Sequence, residues 1–135
     1  MNQQPVNQQV SSRTVRYNTE VAAASAAADA ARATPGVVRL QPGLWGLVQQ
    51  LSREMWERAT GTRYPDIAGV EATLDADGTA VDLDISMVLH SGHNATAVSA
   101  AVQESARIAV TALTGLAVTT VTTHITDIDL APLLA

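Results

Sequence analysis

The sequence predicts an α+β fold: a two-layer sandwich with a small, mostly antiparallel sheet and helices packed on one of its faces. Three observations predict it. Val81, Leu83, Ile85, Met87 and Leu89 alternate with Asp82, Asp84 and Ser86, the two-residue period of a half-buried strand. Val98, Ala101, Val102, Ser105, Ile108, Ala109 and Ala112 then recur at helical spacing. Between Val70–Leu74 and Thr79–Leu89 lies Asp75-Ala76-Asp77-Gly78, a turn sequence that joins two strands as a hairpin. Runs of strand pattern set beside separate helical patterns belong to two layers around one core.

Each element follows in chain order. Residues 1–16 are polar and poor in bulky apolar groups, the composition of a disordered tail. Thr19 is placed to cap a helix, with Glu20 in its first turn, where a carboxylate complements the helix dipole. From Glu20 to Ala33 the chain is mostly alanine, a strong helix former with a thin side-chain layer that lets a helix approach a sheet closely. Pro35 and Gly36 end that helix, and Val37 to Leu40 form a short strand. Next, Leu44, Leu47, Val48, Leu51 and Met55 share one helical face, edged by Trp45 and Trp56, while Gln49, Gln50, Arg53, Glu54 and Glu57 take the other. This is the cleanest amphipathic pattern in the chain. Gly61 ends it, and Tyr64-Pro65-Asp66 leads to the hairpin. After Leu89, Ser91-Gly92 breaks the strand, Asn94 caps the next helix, Thr114-Gly115 closes it, and the Val/Thr-rich run from Leu116 to Ile125 is the returning strand. There is no internal repeat.

Composition narrows the function. The 135 residues suit one domain with a two-layer core. Cysteine is absent, which removes disulfides and thiolate metal sites and fits a reducing cytoplasm. Met1 to Thr14 lacks the apolar core of a secretory signal, and no window reaches the roughly 20 apolar residues that span a bilayer. Net charge is −5, and the eight cations, all arginine, lie scattered at positions 13, 16, 32, 39, 53, 58, 63 and 107. With no phenylalanine and four Tyr/Trp residues, the chain offers neither the basic face nor the stacking platforms of a nucleic-acid binder.

Four pieces stand in order: Val81-Asp82-Leu83-Asp84-Ile85-Ser86, the helix stretch Val98 to Ser105 ending in Ala101-Val102-Gln103-Glu104-Ser105, the closing Leu113-Thr114-Gly115-Leu116, and Val121 to Ile128 with His124 at its centre. Together with an opening helix that ends in Pro35-Gly36-Val37, they resemble the alkaline-shock-protein family of bacterial envelope stress response proteins, over roughly Tyr17 to Leu130. The resemblance implies a non-catalytic, stress-induced protein, held at the inner face of the membrane by a partner, and supplies no active-site motif. The segment around 44–60 departs from the family pattern as an amphipathic helical insertion. The domain therefore reads as a tail at 1–16, an α+β domain at 17–130 carrying that insertion, and an apolar C-terminal tail at 131–135.

Three groups of residues are candidates for chemistry. Facing away from the helices, Asp82, Asp84, Thr120, Thr122 and His124 combine two carboxylates and an imidazole on the two strands. A divalent metal needs several such ligands converging, but alternating polar residues are also what a solvated sheet face requires. His90 and His93 flank a polar turn with Ser91 and Asn94. Nucleophilic catalysis needs an orienting third group and an oxyanion hole, and no nucleophile elbow or glycine-rich phosphate loop accompanies them. Last, Trp45, Val48, Leu51, Met55 and Trp56 form a face for core packing, self-association or a protein partner. Arg53 and Arg58 are balanced there by Glu54 and Glu57, unlike the basic polar face of a membrane-surface helix. The expectation is a non-enzymatic, cytoplasmic protein-binding or scaffolding module with no cofactor or metal. It works near the membrane through a protein partner and as a homo-oligomer. A small metal-dependent enzyme on Asp82, Asp84 and His124, and a direct membrane-surface binder, are the alternatives.

Overall fold

The computed structural model describes residues 4–41 and 67–130. Helix α1 (Gln4–Arg32) leads to strand β1 (Val37–Leu40); then come β2 (Val70–Leu74), β3 (Ala80–His90), helix α2 (Ala95–Thr114) and β4 (Ala117–Asp129). The amphipathic segment 44–60 and the tail 131–135 lie outside the described residues.

Strand β3 organises the sheet, because β1, β2 and β4 all pair with it. β1 runs antiparallel to its second half, Val37 opposite Leu89 and Leu40 opposite Met87. β2 runs antiparallel to its first half, Val70 opposite Ile85 and Leu74 opposite Val81. The two meet at Ser86, whose carbonyl accepts from Gln41 N–H at 3.0 Å and whose N–H donates to Gly69 C=O at 2.7 Å. One residue's N–H and C=O point to the same side of a strand, so β1 and β2 are two halves of one edge. Gly69 has φ +92°, and a Cβ there would stand 3.0 Å from Gln41 N, Leu40 Cβ and Ser86 O. Only glycine fits where the chain re-enters the sheet. On the other side of β3 lies β4, parallel to it along the full length, from Ala80 opposite Ala117 to His90 opposite Asp129. Two of the three pairings are thus antiparallel, and the longest is parallel, as a strand–helix–strand crossover requires.

Both helices cover one face, α1 against β1, β2 and β3, and α2 against α1 and β4. The core between the layers is aliphatic: Val81, Leu83, Ile85, Met87 and Leu89 from β3, Val70 and Leu74 from β2, Val98, Val102, Ala106 and Val110 from α2. Alanines 23, 24, 27, 28 and 31 of α1 complete it. Each large aliphatic side chain so enclosed contributes about 1.5–3 kcal/mol, and the alanines bring the helix backbones close. That close approach corrects the expected face of α2. The buried stripe is Val98, Val102, Ala106 and Val110, whereas Ile108 is 60 % and Leu113 64 % exposed. A small residue, not the larger isoleucine, faces the alanine layer.

The start of α1 is also corrected. The helix is continuous from Gln4, with Pro5 in its first turn, a position where the missing N–H costs nothing. Thr19 lies inside it and donates its hydroxyl to Val15 C=O at 2.8 Å instead of capping. Glu20, expected in a first turn, instead accepts Leu74 N–H at 2.9 Å. Arg16 donates to Asp75 C=O at 2.9 Å and reaches Leu74 C=O at 3.5 Å. These long-range bonds draw helix into a stretch whose composition reads as disordered. The other local expectations hold: Asn94 accepts Ala97 N–H at 3.0 Å, Gly115 is left-handed at φ 74°, and the 75–78 turn closes with Asp75 N–H on Ala80 C=O at 2.9 Å.

Candidate functional site

The polar sheet face is built by alternation on β3 and β4. Asp82, Asp84 and Ser86 point away from the core, and the register sets them opposite Thr120, Thr122 and His124. Thr120 Oγ1 donates to Asp82 Oδ1 at 2.7 Å, and His124 Nε2 lies 3.1 Å from Asp84 Oδ1, reaching diagonally across the ladder. Asp84 and His124 remain about half exposed, at 49 % and 52 % of their side chains. The structure thus brings the three sequence-predicted residues together as two separate cross-strand pairs. An exposed pair such as Asp84–His124 contributes at most about 0.2–1 kcal/mol. Among the described residues no three His, Asp or Glu side chains converge on a common point.

His90 and His93 meet edge to face, with ring centroids 6.1 Å apart. Their turn is held by backbone bonds: His90 N–H to Gly36 C=O at 2.8 Å, Ser91 N–H to Asp129 C=O at 3.1 Å and His93 N–H to His90 C=O at 3.2 Å. Nδ1 of His90 is enclosed and makes no hydrogen bond among the described residues. The turn ties the start of β1, the end of β3 and the end of β4 to one point. Among the described residues, the two histidine rings contact each other, and no carboxylate is hydrogen-bonded to either ring.

Trp45, Val48, Leu51, Met55 and Trp56 lie outside the described residues. Among the described residues, Gln41 and Gly69 both bond to Ser86 and so lie side by side on the β1–β2 edge.

The opposite edge is one that sequence reading missed. β4 has 13 residues against 11 in β3, and the register absorbs the two extra ones in bulges between Val81 and Asp82 and between Met87 and Val88. Thr119 and Thr126 are the inserted residues. Each hydroxyl donates across the strand, Thr119 to Val81 C=O and Thr126 to Met87 C=O, both at 3.2 Å. A bulge leaves a ladder group unpaired, and these hydroxyls satisfy it. Beyond β4, no further strand pairs with it among the described residues. The threonine density of 119–126 was a visible signal; the bulges appear only with the partner strand in place.

No helix of the described residues is long and apolar enough to cross a membrane. Known proteins bear on this arrangement in one way. A model of the alkaline shock protein 23 family, described by a cell envelope-related function, matches residues 7–130. No curated protein and no solved structure matches the chain.

Proposed function

This chain belongs to the alkaline shock protein 23 family, with its cell envelope-related function, and from that premise we propose that it is a non-catalytic, stress-related protein-binding module. It works in the cytoplasm at the inner face of the envelope, as a homo-oligomer, recruited by a membrane-held protein partner. The observation that carries this reading is the family match over 7–130, which takes in every described strand, all of α2 and all but the first three residues of α1. Two features of the molecule support it. Its polar side chains pair off between strands, Asp82 with Thr120 and Asp84 with His124, in place of a constellation aimed at one reacting atom. Its described surface also carries scattered apolar residues suited to protein contact: Ile108, Leu113, Ile125, Ile128 and Leu130.

The test is sedimentation of the purified chain with three kinds of membrane. It is expected to pellet with washed bacterial envelope membranes, to lose that binding when those membranes are shaved with protease, and to stay in the supernatant with phosphatidylglycerol vesicles. Pelleting with the pure lipid would make it a direct membrane binder instead, and failure to pellet with any of the three would remove the envelope partner.

A further inference from the structure

We propose that β4 is a self-pairing edge, joining antiparallel to β4 of a second copy about a two-fold axis through Thr123. The proposal rests on the reading of this chain as an oligomeric binding module and names the surface that does it.

An edge strand presents unpaired N–H and C=O groups, and proteins ordinarily blunt it with short length, charge, proline, bulges or a covering element. Of these devices β4 carries two bulges, which leave the stretch between them regular, and among the described residues it shows little else. It is the longest strand, it contains no proline or lysine, and nearly all of it is β-branched from Val118 to Ile128. Ile125 and Ile128, on its helix-facing side, remain 40 % and 39 % exposed. The register with β3 and its two bulges assign the sides: Val118, Val121, Thr123, Ile125 and Ile128 share the helix side with Val81, Leu83, Ile85, Met87 and Leu89.

That pattern is symmetric about Thr123. Antiparallel pairing of two copies through this residue sets Val121 opposite Ile125 and Val118 opposite Ile128, so each exposed isoleucine meets an apolar, β-branched partner. On the other side Thr122 meets His124 and Thr120 meets Thr126. The bulges obey the same symmetry, because the 119–120 step of one copy falls opposite the 126–127 step of the other. Asp127 then faces Thr119, and no like charges oppose each other. A two-fold interface demands that one surface complement itself; a strand with a palindromic side-chain pattern meets that demand, and an arbitrary edge does not. Asp127 already accepts Ile128 N–H at 2.8 Å, so the shared backbone ladder ends at the bulges, and Val118 and Ile128 beyond them meet through side chains alone. The occupant is therefore a second copy of this chain, forming a closed dimer with one continuous sheet.

The chain has no cysteine, so single cysteines report the axis directly. A residue on a two-fold axis meets its own copy within disulfide reach. Thr123→Cys in the full chain is expected to cross-link to a dimer under mild oxidation at least tenfold faster than Thr120→Cys, whose partner is Thr126, or Ile108→Cys on α2. Ile125→Lys is expected to weaken the dimer at least tenfold in sedimentation equilibrium while keeping the wild-type melting curve at low concentration. Equal cross-linking of all three cysteine variants, or a dimer untouched by Ile125→Lys, would overturn β4 as the interface and leave self-association by another surface standing. A wild-type chain that stays monomeric yet binds shaved-sensitive envelope membranes would overturn this inference and leave the envelope reading intact.

Discussion

The two edges of the sheet differ: a side chain of helix α1 bonds to the β1–β2 edge, whereas no described strand pairs beyond β4. On the β1–β2 side, helix α1 reaches around the core: Glu20 accepts Leu74 N–H, an edge group with no described strand beyond it, and Arg16 donates to Asp75 C=O in the turn that follows. On the β4 side the comparable bonds among the described residues point inward. Thr119 and Thr126 mend the β3–β4 ladder at its bulges, and the outer margin keeps a row of valine, threonine and isoleucine. An edge is thus not open because its own residues are apolar, nor closed because they are polar. What decides it is whether another element supplies donors and acceptors at the right height.

Substitutions can break or sharpen this contrast, beginning with the strand both edges share. Leu83→Ala, in a side chain only 1 % exposed, should cost about 2–5 kcal/mol in urea unfolding and loosen both edges together. Gly69→Ala acts on the closed edge alone. Its φ of +92° and three contacts at 3.0 Å, two of them to backbone atoms, make about 1–3 kcal/mol of strain, read in the same unfolding curves. Glu20→Ala removes the partner of Leu74 N–H and should destabilise by about 1–2 kcal/mol; the Leu74 amide should then exchange with solvent much faster than its neighbours. Ile125→Lys, on the open edge, should change monomer stability by no more than about 1 kcal/mol. A larger loss would show that β4's edge is closed in the monomer.

The smallest effect belongs to the hairpin turn beside the closed edge. Desolvation pushes the Asp75 carboxyl up, but the N–H groups of Ala80, Thr79 and Gly78 and the Thr79 hydroxyl outweigh it and hold it below its ordinary value. A carboxyl whose folded value is depressed stabilises fully above the unfolded value, about pH 4, and loses that contribution as pH falls through the folded one. Asp75→Ala should therefore melt slightly below wild type at neutral pH, with the gap closing in acid.

Much of the fold was legible. Strand periodicity located β3 and its inward set, and Asn94, Gly115 and the 75–78 turn were placed by chemistry that acts within a few residues. The misreadings share a cause. Thr19 looked like a cap and residues 1–16 like a tail because the bonds that extend α1 come from Leu74 and Asp75, more than fifty positions away. Ile108 looked buried because hydrophobicity favours the larger side chain, whereas the stripe that α2 buries runs at four-residue intervals through Val98, Val102, Ala106 and Val110 and leaves Ile108 outside it. At the candidate site, Asp82, Asp84 and His124 were identified as neighbours on one face, but their division into two pairs depends on the register with β4.

By itself, then, the sequence determined what short-range physics controls: the α+β class, the alternating faces, the caps and turns, and the family to which those ordered motifs belong. Tertiary structure alone decided that β1 and β2 are one edge joined at Ser86, that β4 runs parallel to β3 with two threonine bulges, and which edge a helix seals. Those features are set by which backbone groups find partners across the sheet, and a hydrogen bond between distant residues leaves no periodicity in the chain that makes it.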